Sequence, residues 1–164
     1  MHQRPRHVLF LCTGNSARSV LAEAMLRQLG GDRFVAHSAG SHPAGAVHPL
    51  TLQALAQLKL PTEGLRSKSW DEFAAPGAPV LDFIFTVCDQ AAGEVCPHWP
   101  GQPISAHWGV PDPVAAEGSD AQRLQKFVDT ALTLKRRIDL MLALPIDKLG
   151  AMALTHELRS IGQS

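Results

Sequence analysis

The sequence predicts an α/β protein built as a three-layer sandwich, in which a four-stranded parallel sheet carries helices on both faces. Apolar runs of strand length alternate along the chain with longer segments whose apolar residues recur at helical spacing. The strand expected at 7–11 is apolar rather than alternating, which is typical of a parallel strand buried on both faces. The 164 residues contain no repeat or linker, so we expect a single domain, 1–164.

The first elements are predicted from local signals in chain order. A helix over 17–29 has an apolar face and ends at Gly30 and Gly31. A second helix begins at Pro49, because proline fits the first helical turn, and continues through Leu58. The segment 61–79 is expected to be irregular, with a short helix around 70–74. The remaining strands are expected at 34–37, 83–87 and 104–107.

Two helices are predicted after the last strand. Ser119 or Asp120 is expected to cap a long helix that runs to about Leu142 and is followed by the helix breaker Pro145. Asp147 is expected to cap an extra C-terminal helix, at about 146–161. This helix is amphipathic, so we expect it to pack on the domain, with dimerisation as the alternative.

Composition excludes several classes of function. Fifteen Lys and Arg residues balance fifteen Asp and Glu residues, so no global positive field favours nucleic acid or an anionic membrane. No apolar stretch reaches the length of a membrane span, and the N-terminus has no signal-peptide core, which predicts a cytoplasmic protein. Three cysteines cannot all pair within one chain, which in a reducing compartment favours catalytic or metal-binding roles over structural disulfides.

Cys12 ends the first strand, and Arg18 opens the following helix six positions later. A tight loop at a helix N-terminus directs N–H groups toward an anion, and the guanidinium clamps it. The residues expected to bind the anion are Thr13, Gly14, Asn15, Ser16, Ala17 and Ser19. The same field favours a Cys12 thiolate at neutral pH, with help from the Ser19 hydroxyl. Gly14 is expected to supply the positive φ that such a loop often needs.

The bare C-x5-R spacing is weak evidence, since such pairs arise by chance. The alternative is a buried Cys12 that closes a core strand, with Arg18 on a helix surface. A strand before the loop, a helix after it and G-N-S inside it favour the anion loop (residues 12–18).

The stretch V-L-F-L-C-T-G-N-S-A-R-S resembles the signature loop of the low-molecular-weight protein tyrosine phosphatase superfamily, which includes thioredoxin-coupled arsenate reductases. The resemblance continues through 22–23, 37–40 and 107–113, and it covers about residues 6–143. It implies that Asp112, held between two prolines, is the general acid. On local sequence alone, a proline-flanked aspartate is also an ordinary turn residue.

The resemblance to the reductases implies a role for the other two cysteines. Cys88 follows the strand at 83–87, and Cys96 lies in the next loop. In the implied order, Cys12 attacks arsenate, Cys88 attacks the Cys12 sulfur and releases arsenite, and Cys96 then forms a disulfide with Cys88. Thioredoxin is the implied electron donor, with glutathione and glutaredoxin as the alternative. Seven residues separate Cys88 from Cys96, where the family pattern has six.

Two other functions are weighed against arsenate reduction. A phosphatase working through a Cys12 phosphocysteine would leave Cys88 and Cys96 as small core residues. The chain has no tyrosine, and 114–117 offers no ring against which an aryl group could stack, which favours a small oxyanion such as arsenate, with phosphate or sulfate as mimics. A non-enzymatic anion sensor is disfavoured because the nucleophile, the arginine and the acid are all present.

No metal site and no cofactor are predicted. The candidate zinc ligands lack a close C-x2-C pair; they are Cys88, Cys96, His98 and His107. Some members of the superfamily bind potassium with the equivalents of Asn15, Glu23 and Ser38, but a further acidic ligand is missing here, with Trp70 near its expected place. These three polar residues are therefore expected to form a buried network that braces the loop.

Overall fold

The computed structural model describes residues 4–88 and 102–164. Its strands form one parallel sheet in the order β2-β1-β3-β4, with β1 and β3 at the centre. The strands are β1 (Arg6–Cys12), β2 (Phe34–Gly40), β3 (Phe83–Thr86) and β4 (Ile104–His107). The predicted number, positions and parallel direction of the strands are confirmed.

Five α-helices belong to the described residues. They are α1 (Arg18–Gly30), α2 (Pro49–Gln57), α3 (Asp71–Ala74), α4 (Asp120–Leu142) and α5 (Ala151–Ile161). Ser119, rather than Asp120, caps α4 and forms a capping box with Gln122. None of the helices in these ranges has both the length and the apolar character that crossing a bilayer requires.

The two faces of the sheet belong to different clusters of apolar side chains. Val8 and Phe10 share a large cluster with residues of α1, α4 and α5. Leu9 and Leu11 alternate with them and pack on the other face with Phe73 of α3. Both faces of β1 are therefore buried under helices, which confirms the predicted sandwich and explains why its sequence is apolar throughout.

The start of the last helix differs from the prediction. Asp147 does not cap it: this residue lies in a 3-10 turn, Ile146–Lys148, and accepts a hydrogen bond from Arg6 at 2.6 Å. Leu149 is extended, and α5 begins at Ala151 with Gly150 as its N-cap. The prediction is wrong because the Asp147 carboxylate binds Arg6 of β1 instead of the N-terminus of α5.

Candidate active site

The carboxyl edge of the sheet gathers four of the residues singled out by the sequence. Cys12 ends β1, and Cys88 follows β3 two residues after its end. Arg18 and Asp112 approach each other to 3.7 Å between Nη2 and Oδ2. A cavity of about 480 Å³ is lined in part by Arg18, Cys88 and Asp112. Cys96, the remaining candidate, lies outside the described residues.

Asn15 determines the shape of the anion loop. It is fully buried and has a φ of 47°. Its Nδ2 donates to Ser19 Oγ at 2.8 Å and to Ser38 Oγ at 3.0 Å, and its Oδ1 accepts from the Lys68 N–H at 2.8 Å. The positive φ therefore falls on Asn15 and not on Gly14 as expected, because three buried hydrogen bonds hold an asparagine, which tolerates this region.

The carbonyl groups of the anion loop are bonded away from its interior. The N–H groups of His42, Ala44 and His48 donate to the carbonyls of Thr13, Gly14 and Ser16, respectively, at 2.9–3.0 Å. In a trans peptide the N–H points opposite to the carbonyl, so the N–H groups of the same peptides face the other side of the loop. This orientation of the N–H groups suits an anion.

Arg18 stands between the anion loop and the acid loop, defined here as residues 107–112. Its Nη1 donates to the Val110 carbonyl at 3.2 Å, and its side chain is 15% exposed. Its Nε is buried and has no hydrogen-bond partner among the described residues. The guanidinium is thus anchored by one nitrogen and keeps a donor available for an oxyanion.

Asp112 is the most accessible of these groups, with 42% of its side chain exposed. Its Oδ1 accepts from the Val114 N–H at 3.0 Å, in the 3-10 turn that begins at Pro113. The other oxygen, Oδ2, faces Arg18. The carboxyl group is therefore fixed at one oxygen, and the other oxygen lies beside Arg18 at an edge open to solvent.

The two sulfurs at the centre of the site influence each other. Cys12 and Cys88 are 4% and 2% exposed, and Cys88 Sγ lies 3.6 Å from Thr13 Oγ1. A hydrogen bond with Cys88, together with burial, raises the pKa of the Cys12 thiol. Arg18 and the Thr13 N–H act in the opposite direction but do not outweigh it. The expected thiolate-favouring field is present, but the prediction of a lowered Cys12 pKa is wrong, because a second sulfur lies beside it.

A buried polar network supports the loop from below, as predicted for Asn15, Glu23 and Ser38. The Ser38 hydroxyl donates to Glu23 Oε1 at 2.5 Å. Lys68 Nζ donates to the Ser38 carbonyl at 2.8 Å and lies 3.8 Å from Glu23 Oε1. Sequence reasoning missed Lys68, because it lies in the irregular segment 61–79. Within 4–88 and 102–164, no group of three or more His, Cys, Asp or Glu side chains is placed to hold a metal ion.

Arg137 is the second residue that sequence reasoning missed. It is 7% exposed, and its Nη1 donates to the carbonyls of Trp108 and Gly109 at 2.8 and 3.0 Å. The acid loop is therefore tied to α4. A signal was present in the sequence: Arg137 lies beside Ile138 and three positions after Leu134, within the apolar face of the helix.

The sequence is similar to a known protein family and to known relatives. The sequence profile of the family described as low molecular weight phosphotyrosine protein phosphatase matches residues 7–149. An arsenate reductase from Halalkalibacterium halodurans is 35% identical over 120 residues, which cover 73% of this chain and 83% of the relative. The match to the profile covers most of the chain.

Two solved structures share the architecture. One, described as an arsenate reductase in the phosphate binding state, has a TM-score of 0.65 and 25% identity, covering 84% of this chain and 97% of that one. A thioredoxin-dependent arsenate reductase from Corynebacterium glutamicum has a TM-score of 0.58 and 26% identity. That match covers 85% of this chain but only 65% of the other. With its parallel sheet, its anion loop and the profile match over 7–149, this chain belongs to the low molecular weight phosphotyrosine protein phosphatase family.

Proposed function

We propose that this protein is an arsenate reductase, which converts arsenate to arsenite through a thiol–disulfide relay. The observation that carries the proposal is the contact between Cys12 and Cys88 beside the anion loop. A phosphatase needs one sulfur at this place, whereas reduction by thiols needs two, because two electrons must reach arsenic. Relatives described as arsenate reductases support the same conclusion.

In the first step the anion loop and Arg18 bind arsenate with its arsenic above Cys12. The Cys12 sulfur attacks arsenic, an arsenic–oxygen bond breaks, and the departing oxygen takes a proton from Asp112 and leaves as water. Two sulfurs in contact repel each other when both are charged, so we assign one shared proton to the pair of Cys12 and Cys88. Because the Arg18 guanidinium and the Thr13 N–H favour the charged form of Cys12, we place this proton on Cys88 while Cys12 attacks.

In the second step Cys88 attacks the sulfur of Cys12. A sulfur–sulfur bond forms and the sulfur–arsenic bond breaks, and its electron pair stays on arsenic, which is reduced from As(V) to As(III). The proton of Cys88 passes to an oxygen of the departing arsenite. Cys12 and Cys88 are both buried side by side, so the second sulfur is already in place when the intermediate forms.

In the third step Cys96 attacks Cys88, which releases the Cys12 thiolate and leaves a disulfide between Cys88 and Cys96. An external dithiol then reduces this disulfide, and we propose thioredoxin as that donor. The similarity to a structure described as a thioredoxin-dependent arsenate reductase supports this choice. The three sulfurs of the sequence then each have one role in the cycle.

The residues after Asp112 support a small substrate. The 3-10 turn Pro113–Ala115 presents only proline, valine and alanine side chains, with Val114 36% exposed. No aromatic ring in this turn can stack on a phenyl group. A tetrahedral inorganic anion needs only the N–H groups of the loop and the Arg18 guanidinium.

The test follows arsenate-dependent NADPH oxidation with thioredoxin and its reductase present. We expect Cys88→Ser and Cys96→Ser each to abolish multiple turnover while leaving nitrophenyl phosphate hydrolysis nearly intact. Cys12→Ser silences both activities. A parallel assay with glutathione and glutaredoxin identifies the donor. Full reductase turnover in both serine variants contradicts the relay, and hydrolysis without any arsenate reduction in the wild type makes the protein a phosphatase.

A further inference from the structure

The part of the chain beyond the family match packs on the acid loop. The match ends at residue 149, and α5 follows it. The indole Nε1 of Trp108 donates to the Leu158 carbonyl at 2.9 Å. Gly162 lies so close that a Cβ built on it would come within 2.1 Å of the His107 carbonyl oxygen. A C-terminal segment, defined as residues 158–164, is thus in direct contact with the first two residues of the acid loop.

Arg137 connects the same two parts of the chain. Its Nη1 holds the carbonyls of Trp108 and Gly109, and its Nη2 donates to the Ser164 main-chain oxygen at 3.4 Å. Arg18 holds the next carbonyl, that of Val110. Two guanidinium groups therefore hold three consecutive carbonyls, which determines the direction in which the chain leaves toward Asp112.

The guanidinium of Arg137 is buried with one of its nitrogens unpaired within the described part of the chain, which lowers the stability of the folded protein. Its Nε is buried without a hydrogen-bond partner among the described residues. Burial of a cation is unfavourable unless its hydrogen bonds compensate for the lost water, and an aliphatic side chain in the apolar face of α4 would avoid this cost. The main-chain oxygens of the acid loop and of the C-terminal segment are what the guanidinium binds in return.

The C-terminal segment also reaches the cavity of the active site. Gly162 lines the same cavity of about 480 Å³ as Arg18, Cys88 and Asp112. We propose that Arg137 and the C-terminal segment are positioning elements that hold Asp112 at its working distance from Arg18. This inference rests on the proposed role of Asp112 as general acid, and neither element touches the reacting atoms.

Two substitutions test the positioning role, one in Arg137 and one in the C-terminal segment. Arg137→Met removes the donors to the acid loop, and Arg137→Lys keeps the charge and restores one donor. Gly162→Ala introduces a methyl group against the His107 carbonyl at a position whose backbone is in the ordinary helical region. The matched controls are Lys135→Met, an exposed cation on the same helix, and Gly150→Ala, where a Cβ meets nothing within 4 Å.

The kinetic readout is the dependence on the leaving group, which a general loss of folded protein does not change. We expect kcat/KM for phenyl phosphate, a poor leaving group, to fall about tenfold in Arg137→Met and Gly162→Ala, and kcat/KM for nitrophenyl phosphate to fall less than about threefold. Arg137→Lys should lie between Arg137→Met and the wild type. If the ratio of kcat/KM for phenyl phosphate to kcat/KM for nitrophenyl phosphate is the same as in the wild type in both variants, the inference is overturned.

A second readout does not depend on catalysis. The N–H groups of Val110 and Val114 are bonded to the Val87 carbonyl and to Asp112 Oδ1, so their hydrogen exchange reports on the acid loop and its end. We expect exchange about tenfold faster in Arg137→Met than in Lys135→Met. If Asp112→Asn leaves the substrate ratio unchanged, the proposed acid is wrong, while unchanged exchange in Arg137→Met overturns the positioning role alone.

Discussion

The anion loop and the acid loop meet at Arg18, and they are supported in different ways. Buried side chains hold the anion loop from within: Asn15 reaches Ser19, Ser38 and Lys68. Main-chain groups of the acid loop are instead held from outside by cations, with Arg137 as the larger contributor. The anion loop is therefore held by buried side chains of the core, whereas the main chain that leads to Asp112 is held by a guanidinium from another element.

The largest expected effect comes from breaking the internal support of the anion loop. Asn15→Ala removes three buried hydrogen bonds and places alanine at a φ of 47°, so we expect a loss of about 4 kcal/mol in the free energy of unfolding. Urea denaturation measures this loss, and isothermal titration with phosphate should show no binding at the loop. Gly14→Ala is the control for stability, because its Cβ meets nothing closer than 3.8 Å. Equal losses in the two variants would contradict the role of Asn15.

The sequence could predict which residues meet at the site because parallel strands end at one edge. Cys12, Cys88 and Asp112 each follow a strand or its exit loop, so strand assignment alone brings them together. The fold class followed from the same alternation of strands and helices. The motif between Cys12 and Arg18 also predicts a tight loop between the first strand and the first helix.

The sequence could not predict which atoms would support those residues. Lys68 and Arg137 donate to main-chain carbonyls. Every residue has a main-chain carbonyl, so the sequence does not show which one accepts the hydrogen bond. The positive φ is expected at Gly14 but is found at Asn15, because the Asn15 side chain forms hydrogen bonds with residues distant in the chain. The raised pKa of Cys12 likewise depends on a contact with a residue of another strand end.

The second prediction tests the other side of the comparison. Asp112→Asn should lower kcat/KM for phenyl phosphate about 100-fold, because the departing oxygen loses its proton donor. Stability should hardly change, since the side chain is 42% exposed and asparagine can still accept from the Val114 N–H. Steady-state kinetics and urea denaturation of the same preparation measure both quantities. A large loss of stability would show that the acid loop, too, depends on its own side chains.

The third prediction concerns the ion pair beneath the anion loop. Glu23→Gln leaves the buried Lys68 ammonium without its nearby carboxylate, so we expect a loss of about 2 kcal/mol in the free energy of unfolding. Combining Glu23→Gln with Lys68→Met should cost less than the sum of the two single changes, because no buried charge then lacks its partner at this contact. Arg27, which also pairs with Glu23 at 2.6 Å, is 38% exposed and loses its carboxylate in both variants that carry Glu23→Gln, so its contribution cancels in the cycle. A double-mutant cycle by urea denaturation measures the coupling. Strict additivity would mean that the two groups at 3.8 Å do not stabilise each other.

The smallest effect is expected on the second face of the sheet, away from both loops. Burial lowers the pKa of His37 from 6.5 to about 4, with His7, Lys68 and Arg27 acting in the same direction. Between these two values the unfolded chain binds a proton that the folded chain excludes, so stability falls as the pH falls. Because His37 is only partly buried, we expect the loss at about pH 5 to be near 1 kcal/mol. His37→Asn should reduce this pH dependence in urea denaturation, and it should leave the phenyl-to-nitrophenyl phosphate ratio unchanged, since the ring contacts His7 and Phe73 rather than either loop.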